Sequence, residues 1–257
     1  MRDYKMIKVI RFLLLFGALV LAGCTTSDEP NPRLSLFIGV DISGSYVESG
    51  HFDNSLKFLS QYIYAHLNGM GELEKPNVLF VSSIGGSDNN DPKTFYPIQT
   101  FDNRSVEEIE EKLHEIFPKE QQNRFTDFNA FFEQIALTIR NKNLILRPVS
   151  VVMLSDGVPD ITKDGATDFR SLDFSPLEKL SRNITIRLLY TDASTGRSWQ
   201  TEVPRRRVKV WTQDAEVMTS WNDSTIYIPN KPLEEQDRFI GWIEDNVDFG
   251  VRARRVD

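Results

Sequence analysis

The segment LSLFIGVDISGS, Leu34–Ser45, decides the fold and raises the question of function. It begins with a nearly continuous apolar run, which is typical of a strand buried on both faces of a parallel sheet. The run ends at Asp41, and Ser43 and Ser45 follow at alternate positions. Asp, Ser and Gly commonly form turns. The same side-chain oxygens are also the ligands that a hard cation prefers.

Three further segments have the same apolar pattern and predict buried strands: Asn77–Ser83, Pro148–Asp156 and Ile184–Asp192. Thr94–Phe101 contains a proline, which cannot donate to a strand ladder, so it is predicted to be an edge strand. A short strand is also predicted at Phe249–Arg254.

Helical patterns lie between these strands. Apolar residues recur at helical spacing in Asn54–Gly69, Arg104–Pro118, Asp127–Lys142 and Leu233–Asn246. Strands that alternate with helices predict an α/β fold, here a doubly wound, mostly parallel central sheet flanked by helices. The longest loops are expected at Gly85–Pro92 and Val158–Ser175.

The N-terminal residues are typical of a targeting signal. Basic residues precede the apolar stretch Phe12–Ala22, which is shorter than the roughly 20 residues of a membrane-spanning helix. The stretch ends in LAGC, Leu21–Cys24, which resembles the lipobox of bacterial lipoproteins. The resemblance implies a signal peptide over residues 1–23, a lipidated Cys24, a tether over residues 24–33 and one domain over residues 34–257. Thr25 in place of Asp implies, by similarity to enteric lipoprotein sorting, the periplasmic side of the outer membrane.

Charge and cysteine usage exclude several classes of function. Removing residues 1–23, which hold four basic residues and one acid, takes the net charge from −7 to −10. An acidic chain of this kind is a poor candidate for nucleic-acid binding. Cys24 is the only cysteine, so neither a disulfide framework nor a cysteine-based zinc site is expected.

Two more oxygen-bearing residues are expected to join the first segment at one edge of the sheet. Thr126 stands at the start of a predicted helix, and Asp156 ends a predicted strand and is followed by Gly157. Ligands of such sheets bind at the carboxyl ends of the strands. Asp192, at the end of another predicted strand, is a lesser candidate.

Asp41, Ser43, Ser45, Thr126 and Asp156 together resemble the metal-ion-dependent adhesion site of the von Willebrand factor A (VWA) domain family, over roughly Leu34–Asn246. The resemblance implies direct coordination by the two serines, direct or water-mediated coordination by Thr126, and carboxylates that hold the ion through its waters. It implies Mg²⁺, with Mn²⁺ or Ca²⁺ also suitable, and a protein partner whose Glu or Asp completes the coordination shell. The chain is then a non-catalytic binding module on a membrane.

Other interpretations stay open. Each of the five residues has the chemistry of an ordinary helix cap or turn. A hydrolase with Ser45 as nucleophile, or with a metal-activated water, lacks both a G-x-S-x-G segment and a histidine close to a candidate serine in sequence. A third alternative is a scaffold for envelope assembly that needs no metal. The basic clusters Pro204–Lys209 and Arg252–Arg255 are interpreted as solvated edges, with lipid headgroups as the alternative partner.

Overall fold

The computed structural model describes residues 32–85, 94–120, 125–163 and 165–248. The predicted signal peptide, Cys24, most of the predicted tether, most of the Gly85–Pro92 loop and the predicted strand Phe249–Arg254 lie outside the described residues. Within the described ranges, no helix is long and apolar enough to cross a membrane.

Six strands form one sheet in the order β3-β2-β1-β4-β7-β8. A separate two-stranded hairpin pairs β5 with β6. The strands are β1 Leu34–Asp41, β2 Pro76–Ile84, β3 Tyr96–Pro97, β4 Val149–Leu154, β5 Thr162–Lys163, β6 Ala166–Thr167, β7 Ile184–Thr191 and β8 Val208–Asp214.

Helices connect these strands. They are α1 Gly44–Glu48, α2 Phe52–Asn68, α3 Val106–Ile116, α4 Phe128–Asn141, α5 Ser175–Glu178, α6 Ala193–Thr201, α7 Ala215–Thr219 and α8 Asp237–Asn246. Single 3₁₀ turns occur at Ile98–Thr100, Phe169–Ser171, Ser220–Asn222 and Leu233–Glu235.

The sheet is doubly wound, which confirms the predicted fold class. All neighbouring strands are parallel except β3, which runs antiparallel to β2. The chain leaves β1 for β2 on one side and later places β4, β7 and β8 on the other. This reversal opens a crevice between the carboxyl ends of β1 and β4, where ligands of such folds bind.

Both faces of the sheet are covered, which explains the apolar runs of the inner strands. In β1, Leu36, Ile38 and Val40 pack in one core cluster with residues of α2 and α8. Phe37 points to the opposite face and packs in a second cluster, with residues of α4 that include Phe131. Side chains that alternate between two apolar layers leave no face of the strand for polar residues.

Several predicted elements differ in extent. Thr94–Phe101 contributes only the two-residue strand β3, followed by a 3₁₀ turn. β4 ends at Leu154, so Asp156 lies in the loop beyond it. Leu233–Asn246 is divided into a 3₁₀ turn and α8. The Val158–Ser175 loop contains the β5–β6 hairpin and a further 3₁₀ turn.

Several elements were not predicted, and the two longest of them are β8 and α6. The first two residues of β8 end the basic cluster Pro204–Lys209 and its last three residues are polar, so its sequence resembles a solvated edge; pairing with β7 makes it a strand. α6 contains Gly196 and two threonines, which are weak helix formers. It forms because Asp192 caps its N-terminus and Trp199 is buried in the core.

Candidate functional site

The carboxylate of Asp41 is buried at the end of β1, and both of its oxygens accept hydrogen bonds. Its Oδ1 accepts from the backbone N–H of Ser43 at 2.8 Å. Its Oδ2 accepts from the hydroxyl of Ser155 at 2.5 Å. Ser155 was not singled out in the sequence, where its only signal is the position directly before Asp156. It orients the Asp41 carboxylate from the loop that directly follows β4.

The hydroxyls of the two serines after β1 lie close to each other, and that of Ser45 also contacts Asp156. Ser43 caps α1 by accepting from the backbone N–H of Tyr46, at a long 3.4 Å. Its Oγ lies 3.2 Å from the Oγ of Ser45. The hydroxyl of Ser45 donates to Oδ2 of Asp156 at 2.9 Å, although the two residues are 111 positions apart. The tertiary fold therefore brings together the two ends of the predicted constellation.

Asp156 lies on a short loop that three further bonds fix in place. Its Oδ1 accepts from the backbone N–H of Val158 at 3.0 Å. The N–H of Gly157 donates to the hydroxyl of Ser155 at 2.9 Å, and the indole N–H of Trp199 donates to the Gly157 carbonyl at 2.7 Å. The buried indole of α6 thus holds the loop that presents Asp156.

Thr126 lies at the same edge, between the end of β2 and the loop after β4. Its backbone carbonyl accepts from the N–H of Asp160 at 3.3 Å. The neighbouring carbonyl of Phe125 lies close over Gly85, which directly follows β2. Asp127 caps α4 by accepting from the backbone N–H of Ala130 at 2.9 Å. The Thr126 side chain is therefore not the N-cap of the helix.

Gly85 is required for this close approach. It has a φ of +90°, and a Cβ there would lie 2.2 Å from the Phe125 carbonyl oxygen. We expect Gly85→Ala to lower the free energy of unfolding by about 2–4 kcal/mol, because the left-handed backbone and the clash both add cost. Gly50→Ala is a matched control: Gly50 has a φ of +81° and open space at the Cβ position. Urea denaturation of both variants separates the two costs, and equal losses would show that the clash is relieved at no cost.

Burial raises the pKa of Asp41 to about 6. The hydrogen bonds from Ser155 and Ser43 oppose this shift, and the nearby charge of Asp156 adds to it. At neutral pH an ionised Asp41 is thus a buried negative charge, and no cationic side chain is among the groups that shift its pKa. A bound cation lowers the cost of burying such a charge.

The chemistry of the donor set fits a hard divalent cation. The Ser45 hydroxyl donates its hydrogen bond to Asp156, so the lone pairs of its oxygen are left to coordinate a metal. Among the residues that the structure describes, no three His, Cys, Asp or Glu side chains cluster as metal ligands. A site built from serine hydroxyls and two carboxylates would not need such a cluster.

Asp192, the lesser candidate, is a helix cap. Its carboxylate accepts from the backbone N–H groups of Ser194 and Thr195 at 2.7 and 3.0 Å, and from the Thr195 hydroxyl at 2.7 Å. These bonds lower its pKa. The capping interpretation therefore accounts for Asp192.

Comparison of the sequence with protein-family models and with curated proteins finds no match. Several solved structures are similar in fold. Proximal thread matrix protein 1 from the mussel byssus has a TM-score of 0.45 and 8% identity, over 74% of this chain and 46% of that one. Manganese-loaded TRAP protein of Plasmodium vivax has a TM-score of 0.45 and 16% identity, over 74% and 72%. The SpRpn10 VWA domain has a TM-score of 0.41 and 10% identity, over 79% and 93%.

The chain thus spans less than half the length of the mussel protein. All three TM-scores are below one-half, so the architecture is assigned from the strand order and register of the chain itself. On that basis the protein is an α/β protein with a doubly wound, mostly parallel sheet, and an oxygen-rich cluster lies at its topological switch point.

Proposed function

We propose that this protein is a membrane-anchored, divalent-metal-dependent protein-binding module of the bacterial cell envelope, with a VWA-like domain. Asp41, Ser43, Ser45, Thr126 and Asp156 hold Mg²⁺, for which Mn²⁺ or Ca²⁺ can substitute at oxygen ligands. A Glu or Asp of the protein partner occupies the remaining coordination position.

The observation that carries this proposal is the contact between the Ser43–Ser45 turn and Asp156. The Oγ–Oγ distance of 3.2 Å and the 2.9 Å bond to Asp156 gather two hydroxyls and a carboxylate at the crevice between β1 and β4. A capping role explains the bond from Tyr46 to Ser43, but it does not require Ser45 to reach Asp156.

The polarity of the site suits partner binding. Neutral hydroxyls as direct ligands leave most of the positive charge on the ion, so the ion attracts an incoming carboxylate. Asp41 and Asp156 accept hydrogen bonds from Ser155 and Ser45, which gives the ordered outer ligands that such a site needs.

The metal site is tested by titrating Mg²⁺ and Mn²⁺ into the full chain by calorimetry. We expect Ser43→Ala to weaken metal binding at least about tenfold, the range found for disturbed metal sites. Ser49→Ala is the matched control, because Ser49 lies just beyond α1 and its hydroxyl donates to the Tyr46 carbonyl, away from the carboxylates. Unchanged affinity in Ser43→Ala would contradict the ligand assignment.

Partner binding is tested by capture from envelope extract with the full chain. Capture is expected to require metal, to be reversed by EDTA and to be lost in Asp41→Ala but kept in Ser49→Ala. Substitution of one acidic residue of the captured protein is expected to abolish binding in the presence of metal. Capture that persists with EDTA and with Asp41→Ala would instead favour a metal-independent scaffold.

A hydrolase makes a different prediction. The hydroxyl of Ser45 donates to a carboxylate of Asp156 in the described structure, which suits a ligand serine. Turnover of ester, phosphate or peptide substrates that disappears in Ser45→Ala would overturn the binding proposal.

The anchor in this proposal is a lipid on Cys24, which lies outside the described residues. The LAGC sequence supports it. We propose the periplasmic side of the outer membrane as the location. Cys24→Ala is expected to abolish incorporation of labelled palmitate, whereas Thr25→Ala keeps it; incorporation that persists in Cys24→Ala would exclude this anchor.

A further inference from the structure

The amino ends of the five parallel strands lie along the edge of the sheet opposite the candidate metal site. Their first residues are aligned by the register pairs Leu34–Pro76, Ser35–Val149, Val149–Ile184 and Ile184–Val208. Because neighbouring strands are about 4.8 Å apart, the five strand starts form a row of roughly 19 Å.

A basic residue stands one or two positions before each of these strands. Across the sheet, in the order β2, β1, β4, β7 and β8, the residues are Lys75, Arg33, Arg147, Arg182 and Arg207. We call this row the basic edge. Four of the five are exposed, and Arg147 is half-buried with its guanidinium on the amide oxygen of Asn77, a neutral partner. A row of five cations is unexpected in a chain with a net charge of −7.

Two exposed apolar side chains project beside the middle of the basic edge. Ile145 and Leu146 are 49% and 69% exposed. Leu146 has a φ of +66°, a conformation that is uncommon for a bulky residue. Its backbone N–H donates to the Leu180 carbonyl at 3.0 Å, which holds the turn in this form. The fold therefore keeps two apolar groups in water directly before Arg147.

Acidic groups also lie at this edge, either beside its two end residues, Lys75 and Arg207, or buried. The carboxylate of Glu178 is turned toward the backbone, where it accepts from the N–H groups of Arg206 and Arg207 at 2.7 and 2.8 Å. Asp248 is buried and paired with Arg187. Glu72 and Glu74 lie in the segment before β2, next to Lys75. Exposed Arg140 and Lys142 at the end of α4 add positive charge beside Leu146.

The chain also enters the domain at this edge. The described residues begin at Pro32, and the N–H of Ser35 donates to the Pro148 carbonyl at 2.9 Å, next to Arg147. The sequence before Pro32 contains the apolar stretch Phe12–Ala22 and Cys24. A membrane attachment through that segment therefore joins the domain at the basic edge.

We propose that the basic edge, with Ile145 and Leu146, docks on the surface of an anionic phospholipid bilayer. The cations meet lipid phosphates, and the two apolar side chains enter the interface. The candidate metal site, at the far end of strands of about eight residues, then faces away from the membrane at a distance of about 25 Å. Docking of the basic edge requires no metal, so it rests on the proposed function only for the attachment to a membrane.

The full chain, reconstituted on phosphatidylcholine nanodiscs with or without phosphatidylglycerol, tests this orientation by hydrogen exchange. Backbone amides of residues 142–148 are expected to exchange at least about fivefold more slowly when phosphatidylglycerol is present, the contribution of a single basic residue near an anionic surface. High salt is expected to reduce the difference. Equal exchange on the two lipid surfaces would overturn the proposal.

Two double variants test whether this protection depends on charge at the basic edge or on the net charge of the protein. Arg147→Glu with Arg182→Glu is expected to remove the protection. Lys163→Glu with Arg170→Glu makes the same change in net charge on the exposed loop after β4 and is expected to keep it. Circular dichroism verifies that each variant is folded. An equal loss of protection in both variants would contradict docking through the basic edge. Protection that appears only when nanodiscs carry envelope proteins would show that the edge binds protein and not lipid.

Discussion

Asp248→Asn is expected to lower the free energy of unfolding at pH 7 by about 3–5 kcal/mol, the cost of breaking a buried ion pair. Oδ1 of Asp248 lies 3.0 Å from Nη2 of Arg187, and Oδ2 lies 3.3 Å from Nε2 of His66. Arg187 is buried within β7 and also donates to the Val247 carbonyl and the Ser150 hydroxyl. The neutral amide would leave the guanidinium charge buried without compensation.

The same ion pair predicts a dependence of stability on pH. Burial by itself raises the pKa of Asp248, but the Arg187 charge and the bond to His66 outweigh it and bring the pKa down to about 2. An ordinary Asp titrates near 3.9 in the unfolded chain. The stabilisation from Asp248 is therefore complete above about pH 4 and is lost as the pH falls toward 2.

Urea denaturation of both proteins between pH 7 and pH 2 measures this effect. The difference between wild type and Asp248→Asn is expected to shrink across the acid range. Asp53→Asn is the matched control, because the Asp53–Lys119 pair is exposed on both sides and such pairs contribute about 0–1 kcal/mol. A loss no larger than that of the control would show that Asp248 is not a structural ion pair.

Asp41→Asn is expected to have opposite effects on stability and on metal binding. In EDTA at pH 7 we expect the variant to be more stable than wild type by about 3 kcal/mol, since the pKa near 6 means that an ionised, buried Asp41 is unfavourable. Because the folded pKa is raised, this penalty is absent below about pH 4 and complete above about pH 6. The side-chain amide in Asp41→Asn keeps an oxygen that accepts from the Ser43 N–H, and its NH₂ group can donate to the Ser155 hydroxyl.

With saturating Mg²⁺ the order is expected to reverse, because an ion held at the proposed site would stabilise wild type and would bind the variant weakly. Thermal unfolding with EDTA and with Mg²⁺ measures both effects on the same samples. Asp160→Asn, an exposed acid on the loop after β4, controls for loss of charge alone. A wild type that Mg²⁺ does not stabilise, or an Asp41→Asn variant that is less stable in EDTA, would contradict the expectation.

Sequence patterns predicted those elements whose burial shows in their own residues. The apolar runs predicted β1, β2, β4 and β7, because strands buried on both faces are apolar throughout. The helix predicted over Arg104–Pro118 was confirmed as α3, and Ser105 caps it by accepting from the Glu108 N–H. β8 and α6 escaped prediction, since their stability comes from β7 and from the packing of Trp199.

The environment of His66 could not be predicted from its own segment either. His66 lies in the last turn of α2 and is buried, between the Glu74 carbonyl and Asp248. Asp248 is 182 positions away, and no periodicity within either segment relates the two residues.

For the candidate site, the sequence by itself determined the residue types and the strand ends that carry Asp41, Ser43 and Ser45, because hydrophobic periodicity locates the end of a buried strand. Only the tertiary structure decided that Ser45 reaches Asp156, that Ser155 holds Asp41 and that Gly85 admits the loop of Thr126. The physical reason is that these contacts join segments far apart in the chain. Their geometry depends on strand order and register, which are set by the packing of two whole cores on either side of the sheet.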